Sequence, residues 1–428
     1  ICDHNCMLKC TRTDYETSVL IREMKRIAAE NGFDKITLPT ASEAESNAKI
    51  AIIGAGPAGL SAGYFAAKAG LDVTIFDKSD KPGGMVQHGI PDFRIPQTAI
   101  DNDLQIIKSV GVKFELNTDE NFSVNELREA GFKYIFVAIG AWKSYVLKTE
   151  GDNITEAIDF LLKNKKQGVT LGENVVVVGG GNTAMDAARA ALRTPNTNNV
   201  TIVYRRTVDL TPADKEELEL AIEDGVIFKE LLNPVSYKNG VLKCSKMKLG
   251  KPDASGRRRP VPIENQFTEI KADNVLSAIG EYTDYDALQA NGIKVNSMKN
   301  IEVNSETNET NLENVFVIGD ALRGPSSVVK AIADGRKAAE AVIQKENIKT
   351  DKLFSYIPEV NSELRMQDIS RAKGNINVCS DLNNEPERCL ECNTVCNICT
   401  EVCPNRANVQ IKVQSLKDSN QILHIDGM

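Results

Sequence analysis

Five cysteines crowd one short stretch of the chain, Cys389, Cys392, Cys396, Cys399 and Cys403, and three more, Cys2, Cys6 and Cys10, stand near its other end. Thiolates so spaced bind soft metals, and Cys396-x-x-Cys399-x-x-x-Cys403-Pro404 follows the run that wraps a 4Fe-4S cluster. The first place of that run falls on Asn393, but the cysteine comes one residue earlier, at Cys392, with Cys389 three before it. Five thiolates for four places hint at a second cluster, because the cysteine before the proline can ligate a neighbouring one. A structural zinc is the alternative, since Zn²⁺ also takes four thiolates but carries no electrons. Cys244 and Cys379 stand alone and read as inert.

Two glycine runs offer a different chemistry. Lys49-Ile50-Ala51-Ile52-Ile53 reads as a strand that enters Gly54-Ala55-Gly56-Pro57-Ala58-Gly59, and 60–69 reads as a helix. The glycines permit a tight turn, a close approach of backbone to a pyrophosphate and close packing of helix on strand, and the helix start supplies free N–H donors. A second strand, Val73-Thr74-Ile75-Phe76, ends at Asp77, an acid placed to hold a ribose with free hydroxyls, as in FAD or NAD. The other run repeats the plan: Asn174-Val175-Val176-Val177-Val178, then Gly179-Gly180-Gly181-Asn182-Thr183-Ala184, then an Ala-rich helix over 185–192. Its second strand, Val200-Thr201-Ile202-Val203-Tyr204, ends in Arg205-Arg206. Guanidinium forks there suit a 2′-phosphate, so this site is expected to prefer NADP(H). One acidic and one basic ribose position suggest one tightly held flavin and one exchangeable nicotinamide.

Several elements must position these sites. Tyr134-Ile135-Phe136-Val137-Ala138-Ile139-Gly140 and Val275-Leu276-Ser277-Ala278-Ile279-Gly280 are matching strands ending in Ala-Ile-Gly, and read as crossings between two domains. Asn314-Val315-Phe316-Val317-Ile318-Gly319-Asp320 ends in an acid that can hold a ribityl chain, and the helix expected over 327–343 can aim its positive end at a flavin ring.

With 428 residues, 42% of them hydrophobic, the chain can bury more than one core. A net charge of −8 argues against a general nucleic-acid surface. The one basic run, Arg257-Arg258-Arg259, has turn residues around it and reads as a solvated hairpin tip. No apolar stretch approaches the roughly 20 residues that span a bilayer, and no signal-peptide pattern opens the chain, so a cytoplasmic protein is expected. His4, His88 and His424 are scattered, which disfavours a histidine-based acid/base or metal triad. Neither nucleotide domain has the redox-active cysteine pair of a disulfide reductase, leaving clusters as the electron exit.

The chain resembles the glutamate synthase small-subunit family and its kin among dihydropyrimidine dehydrogenase-type and ferredoxin:NADP-type flavoproteins. The resemblance rests on Gly83-Gly84-Met85, on Gly89-Ile90-Pro91-Asp92-Phe93-Arg94-Ile95-Pro96, on the second glycine run through Asp186, on Tyr204-Arg205-Arg206-Thr207 and on Gly319-Asp320 through Val329. Thr211 departs from the family's usual Met before Pro212. The tail, Arg388-Cys389-Leu390-Glu391-Cys392 through Cys403-Pro404, is similar to the branch named for selenate reductase subunits.

The resemblance implies an α/β fold of two Rossmann-like domains, the second inserted in the first, flanked by cysteine segments. The expected bounds are an N-terminal helical iron–sulfur segment at 1–48, an FAD-binding domain at 49–150 and 282–345, an NADP-binding domain at 151–281, and a linker with a ferredoxin-like segment at 346–428. Both end segments are expected to be cut through, with strands near 409–413 and 422–426 leading toward a further cysteine run.

The FAD site implied comprises Gly54, Gly56, Pro57, Ala58, Gly59, Asp77, Lys78, Gly84, Met85, Ile90, Ala138, Gly140, Gly319, Asp320, Ser327 and Val328. The NADP site comprises Gly179, Gly181, Asn182, Thr183, Ala184, Arg205, Arg206 and Gly280. Cys2, Cys6 and Cys10 are implied 4Fe-4S ligands beside the C-terminal five. No side chain is given a catalytic role, because hydride passes between NADP(H) and FAD directly. The expected function is an electron-delivery module for a redox partner domain or subunit, with ferredoxin or a molybdenum enzyme as candidates. A self-contained ferredoxin:NADP oxidoreductase and an assembly subunit with structural nucleotide sites are the alternatives.

Overall fold

The computed structural model describes residues 2–8, 10, 17–43, 46–252 and 258–349. All five C-terminal cysteines, Cys379 and the strands expected near 409–413 and 422–426 lie outside the described residues.

Short strands of two to six residues form two five-stranded parallel sheets of the same plan. The first runs Val315–Val317, Tyr134–Val137, Lys49–Ile53, Asp72–Asp77, Lys113–Leu116 across its width. In the second the order is Ile227–Glu230, Asn199–Tyr204, Asn174–Val178, Asn274–Ser277, Thr155–Glu156. Each glycine turn thus leaves the middle strand of its sheet. The inner strands Lys49–Ile53, Tyr134–Val137, Asn174–Val178 and Asn274–Ser277 are covered on both faces and read as near-continuous apolar runs, whereas Asp72–Asp77 and Lys113–Leu116 alternate.

The second sheet is inserted in the chain between strands Tyr134–Val137 and Val315–Val317 of the first. The chain crosses at Lys143–Ser144 and returns at Glu281–Tyr282, and these two segments pair antiparallel. A four-stranded sheet of Arg258–Lys271, Val241–Pro252, Leu232–Lys238 and Glu150–Gly151 adjoins. Arg258 and Arg259 belong to its edge strand, with Pro252 opposite Arg258, and the tip between lies outside the described residues.

Helix Pro57–Lys68 packs on the long helix Val328–Lys345 through small residues. A Cβ at Gly335 would sit 2.2 Å from the Ala58 carbonyl oxygen, so the two backbones meet where no side chain fits. The long helix starts where expected, with Ser327 as N-cap accepting from the Lys330 N–H. The second glycine-turn helix spans Asn182–Leu192 and begins three residues before the expected 185, because the end of the glycine run is itself the first turn. Among the described residues, no helix is long and apolar enough to cross a membrane.

Just after the long helix, Glu346 fastens it to the first sheet. Its carboxylate accepts from Lys133 Nζ and Tyr134 Oη, both at 2.6 Å, and from Ser46 Oγ at 2.7 Å. Burial pushes its pKa up, but these hydrogen bonds outweigh burial and hold it at about 2, against an ordinary 4.5. A carboxyl depressed in this way stabilises the fold above pH 4.5 and loses that contribution as pH falls toward 2. Thermal melts across that window should show the gap between wild type and Glu346→Gln narrowing as pH drops; a constant gap would contradict this anchor.

Candidate functional site

The C-terminal ends of both middle strands open into one cleft of about 260 Å³, partly open to solvent. From the first sheet's chain come Gly54, Gly56, Pro57, Ala58, Asp77, Gly84, Met85, Ile90, Ala138, Gly140, Asp320, Ser327 and Val328. The second body contributes Asn182 and Thr183, and the N-terminal segment contributes Cys2. Thirteen of the sixteen residues expected at FAD therefore line one surface.

The other three stand behind it or beside it. Gly59 lies inside the helix, Gly319 is the N-cap of the short helix Asp320–Arg323, and Lys78 pairs with Glu120 at 3.1 Å. Of the NADP set, Gly181 is the N-cap of its helix, Ala184 is fully buried, and the Gly179 N–H donates to Val203 at the turn. Gly280 accepts from the Tyr145 N–H at 3.0 Å in the crossing. Arg205 and Arg206 stand at the end of their strand and do not line the cleft.

Two features suit dinucleotides. Gly56 and Gly181 are extended N-caps with no side-chain hydrogen bond to the helices they open, Pro57–Lys68 and Asn182–Leu192. The residues of their first turns, Pro57 and Ala58, Asn182 and Thr183, line the cleft, where the free N–H groups of a helix start can take a pyrophosphate. Gly84, at φ +56°, crosses over Gly56 so closely that a Cβ would lie 2.6 Å from the Gly56 Cα. Asp77 accepts from the Ala55 N–H at 2.6 Å and the Ser79 N–H at 2.7 Å, so it also braces the turn it was expected to serve. At the other site, Arg206 Nε is buried without a hydrogen-bond partner, a donor that fits a phosphate oxygen.

Of the N-terminal cysteines, Cys2 lines the cleft and Cys6 is buried in helix Asn5–Leu8; among the described residues no three of His, Cys, Asp and Glu gather around a position for a single metal ion.

Several cleft residues carried no role in the sequence reading. Arg94 Nη1 donates to both Asp186 oxygens at 2.7 Å, and its Nη2 donates to Glu217. Arg22 donates to Glu216 at 2.6 and 2.8 Å, tying the N-terminal segment to helix Lys215–Glu223 and holding the Glu216 pKa low. Trp142 lines the cleft with Lys78 Nζ 5.8 Å from its ring centre. The available signals were an arginine inside an apolar loop and an acid inside an alanine-rich helix. Burial raises Asp186 to about 6 against the opposing pull of Arg94. Glu281 is raised by burial, opposed by a hydrogen bond from Thr183, and Asp320 by burial, opposed by Ser326.

The sequence of residues 48–335 matches the family described as pyridine nucleotide-disulphide oxidoreductase. YgfK of Escherichia coli K12, named as an oxidoreductase, is 43% identical over the whole chain, which spans 42% of its length. The NADPH glutamate synthase small chain of the same organism is 31% identical over 80% of this chain and 78% of its own. The solved structure of FprA from Mycobacterium tuberculosis in complex with NADPH covers 72% of this chain and 88% of its own at a TM-score of 0.58 and 20% identity, a likeness of fold. The chain belongs to the pyridine nucleotide-disulphide oxidoreductase family, alongside the glutamate synthase small chain, a family of NADPH-dependent enzymes that bind FAD and NADP(H).

Proposed function

We propose that the chain is the FAD- and NADP(H)-binding module of a larger redox assembly. Hydride passes between the two cofactors across the cleft, and electrons move on singly to iron–sulfur centres and a partner domain or subunit. The observation that carries this reading is that two glycine-turn helices, one from each sheet, open toward one cleft without side-chain caps. FAD, when bound, supplies the exchange between two-electron hydride chemistry and single-electron transfer.

The residues do the holding. The turn through Gly56 and Ala58, with Gly84 crossing close over Gly56, brings backbone close to the flavin dinucleotide's pyrophosphate. Asp320, half-buried and hydrogen-bonded by Ser326, is placed for the ribityl hydroxyls. Asn182 and Thr183 open the helix that takes the second pyrophosphate, and Asn182 Oδ1 accepts from the Asp214 N–H at 2.8 Å, which fixes the turn. Arg205 and Arg206 take the 2′-phosphate.

Cysteine spacing supports iron–sulfur centres as acceptors, and Cys2 at the cleft wall supports an exit on that side. The chain spans less than half of YgfK and its homologue is one chain of glutamate synthase, which together support a partner domain or subunit. The reading implies a reducing, cytoplasmic setting, where thiolate ligands persist.

Anaerobic titration should bleach the flavin with NADPH well before NADH. Bleaching by neither would defeat the proposal, and equal response to both would defeat the 2′-phosphate assignment. Arg206→Ala should weaken NADPH binding about tenfold to a hundredfold, as charge-assisted hydrogen bonds of about 1.5–3 kcal/mol are lost, and leave NADH unchanged. Gly84→Ala should fold with unaltered far-UV circular dichroism yet purify with most of its flavin missing; full flavin content would refute the close-crossing argument.

A further inference from the structure

Asp186 lies one turn inside helix Asn182–Leu192 and faces the cleft beside Asn182 and Thr183. Glu217, from the first turn of helix Lys215–Glu223, meets the same guanidinium. Their side chains are only 8% and 13% exposed. Two buried carboxylates there oppose what the helix N-terminus offers an anion, since like charges repel more strongly where water is excluded. Among the described residues, Arg94 is the cation that touches both, and it is 11% exposed. Arg189, on the nucleotide helix itself, stands 3.5 Å from Glu217 but commits its Nε to Asp224 at 2.7 Å.

Arg94 does not belong to the second sheet's chain. It sits in the loop that follows helix Met85–His88, on the flavin side of the cleft. That loop is docked on the second body by further contacts. Phe93 lies under the guanidiniums of Arg189 and Arg193, at 4.8 and 4.3 Å. Lys165 donates to the Ile90 carbonyl at 2.6 Å and the Val86 carbonyl at 3.2 Å, and pairs with Asp92 at 3.2 Å.

We propose that Arg94 is a positioning residue that makes NADP(H) affinity conditional on the flavin-side loop: the nucleotide site is electrostatically complete only while that loop is docked. By linkage, bound NADP(H) holds Met85 and Ile90 in their place against the flavin position. The inference rests on the reading that helix Asn182–Leu192 takes NADP(H).

The test is calorimetric titration of the flavin-loaded chain with NADP⁺, a readout that needs no turnover. Arg94→Ala should weaken NADP⁺ binding about tenfold or more while flavin content is kept, because two carboxylates are left uncompensated. Adding Asp186→Asn to Arg94→Ala should recover much of that loss. Arg94→Lys should fall between, since an ammonium lacks the planar fork that reaches both acids. Asp186→Asn alone leaves Arg94 paired with Glu217, and should bind NADP⁺ as tightly as wild type or more tightly, so the question stays open to test even if Arg94→Ala fails to fold. Unchanged affinity in Arg94→Ala, no recovery in the double variant, or weaker binding by Asp186→Asn alone would each overturn the proposal. Wild-type protein that does not bind NADP⁺ at all would refute the nucleotide reading beneath it.

Discussion

The first turn of an α-helix presents N–H groups that the helix cannot satisfy, and most helices meet that demand with a serine, threonine, aspartate or asparagine cap. Helices Pro57–Lys68 and Asn182–Leu192 have glycine at that place, and both open onto the same cleft. With glycine at the cap, forgoing a side-chain cap costs only a few tenths of a kcal/mol at each end, which an anion can readily offset. The surrounding architecture follows from that choice. Each glycine turn needs a middle strand behind it, each strand needs covered faces, and the two sheets must be set so that their turns share one opening. The near-contact of Gly335 with Ala58 lets the long helix lie against the back of the first of these helices.

Much of this was legible in the sequence because each glycine marks a local steric requirement. The strand, glycine run and helix of both units fall close to their expected places, and the paired Ala-Ile-Gly segments do lead into the crossings between the sheets. The nucleotide family could be recognised for the same reason, since the residues that carry it are contiguous. Arg206 was expected at the 2′-phosphate from its position at a strand end; the structure shows its Nε buried without a hydrogen-bond partner.

What escaped was non-local. Arg94 meets Asp186 and Glu217, which lie 92 and 123 residues further along the chain, and no spacing rule links such positions. Glu216 and Glu217 are neighbours on one helix yet grip different bodies, the first holding Arg22 and the second Arg94. In sequence they read only as acids at a helix start. The cysteines differ again: of Cys2, Cys6 and Cys10 only Cys2 lines the cleft, and the C-terminal five lie outside the described residues.

The threading of one sheet through the other also orders events during synthesis. Strand Tyr134–Val137 emerges from the ribosome early, but its outer neighbour, Val315–Val317, follows only after the whole second sheet and the return crossing. Until then that edge, with Ile135 and Phe136 destined for full burial, has no partner strand. An unpaired apolar edge is a template for misassociation. Prompt folding of the inserted body, which brings the two crossings together, shortens the distance the last strand must search. The nascent chain is thus most exposed to aggregation between those two strands, and a slowly folding insert would lengthen that interval.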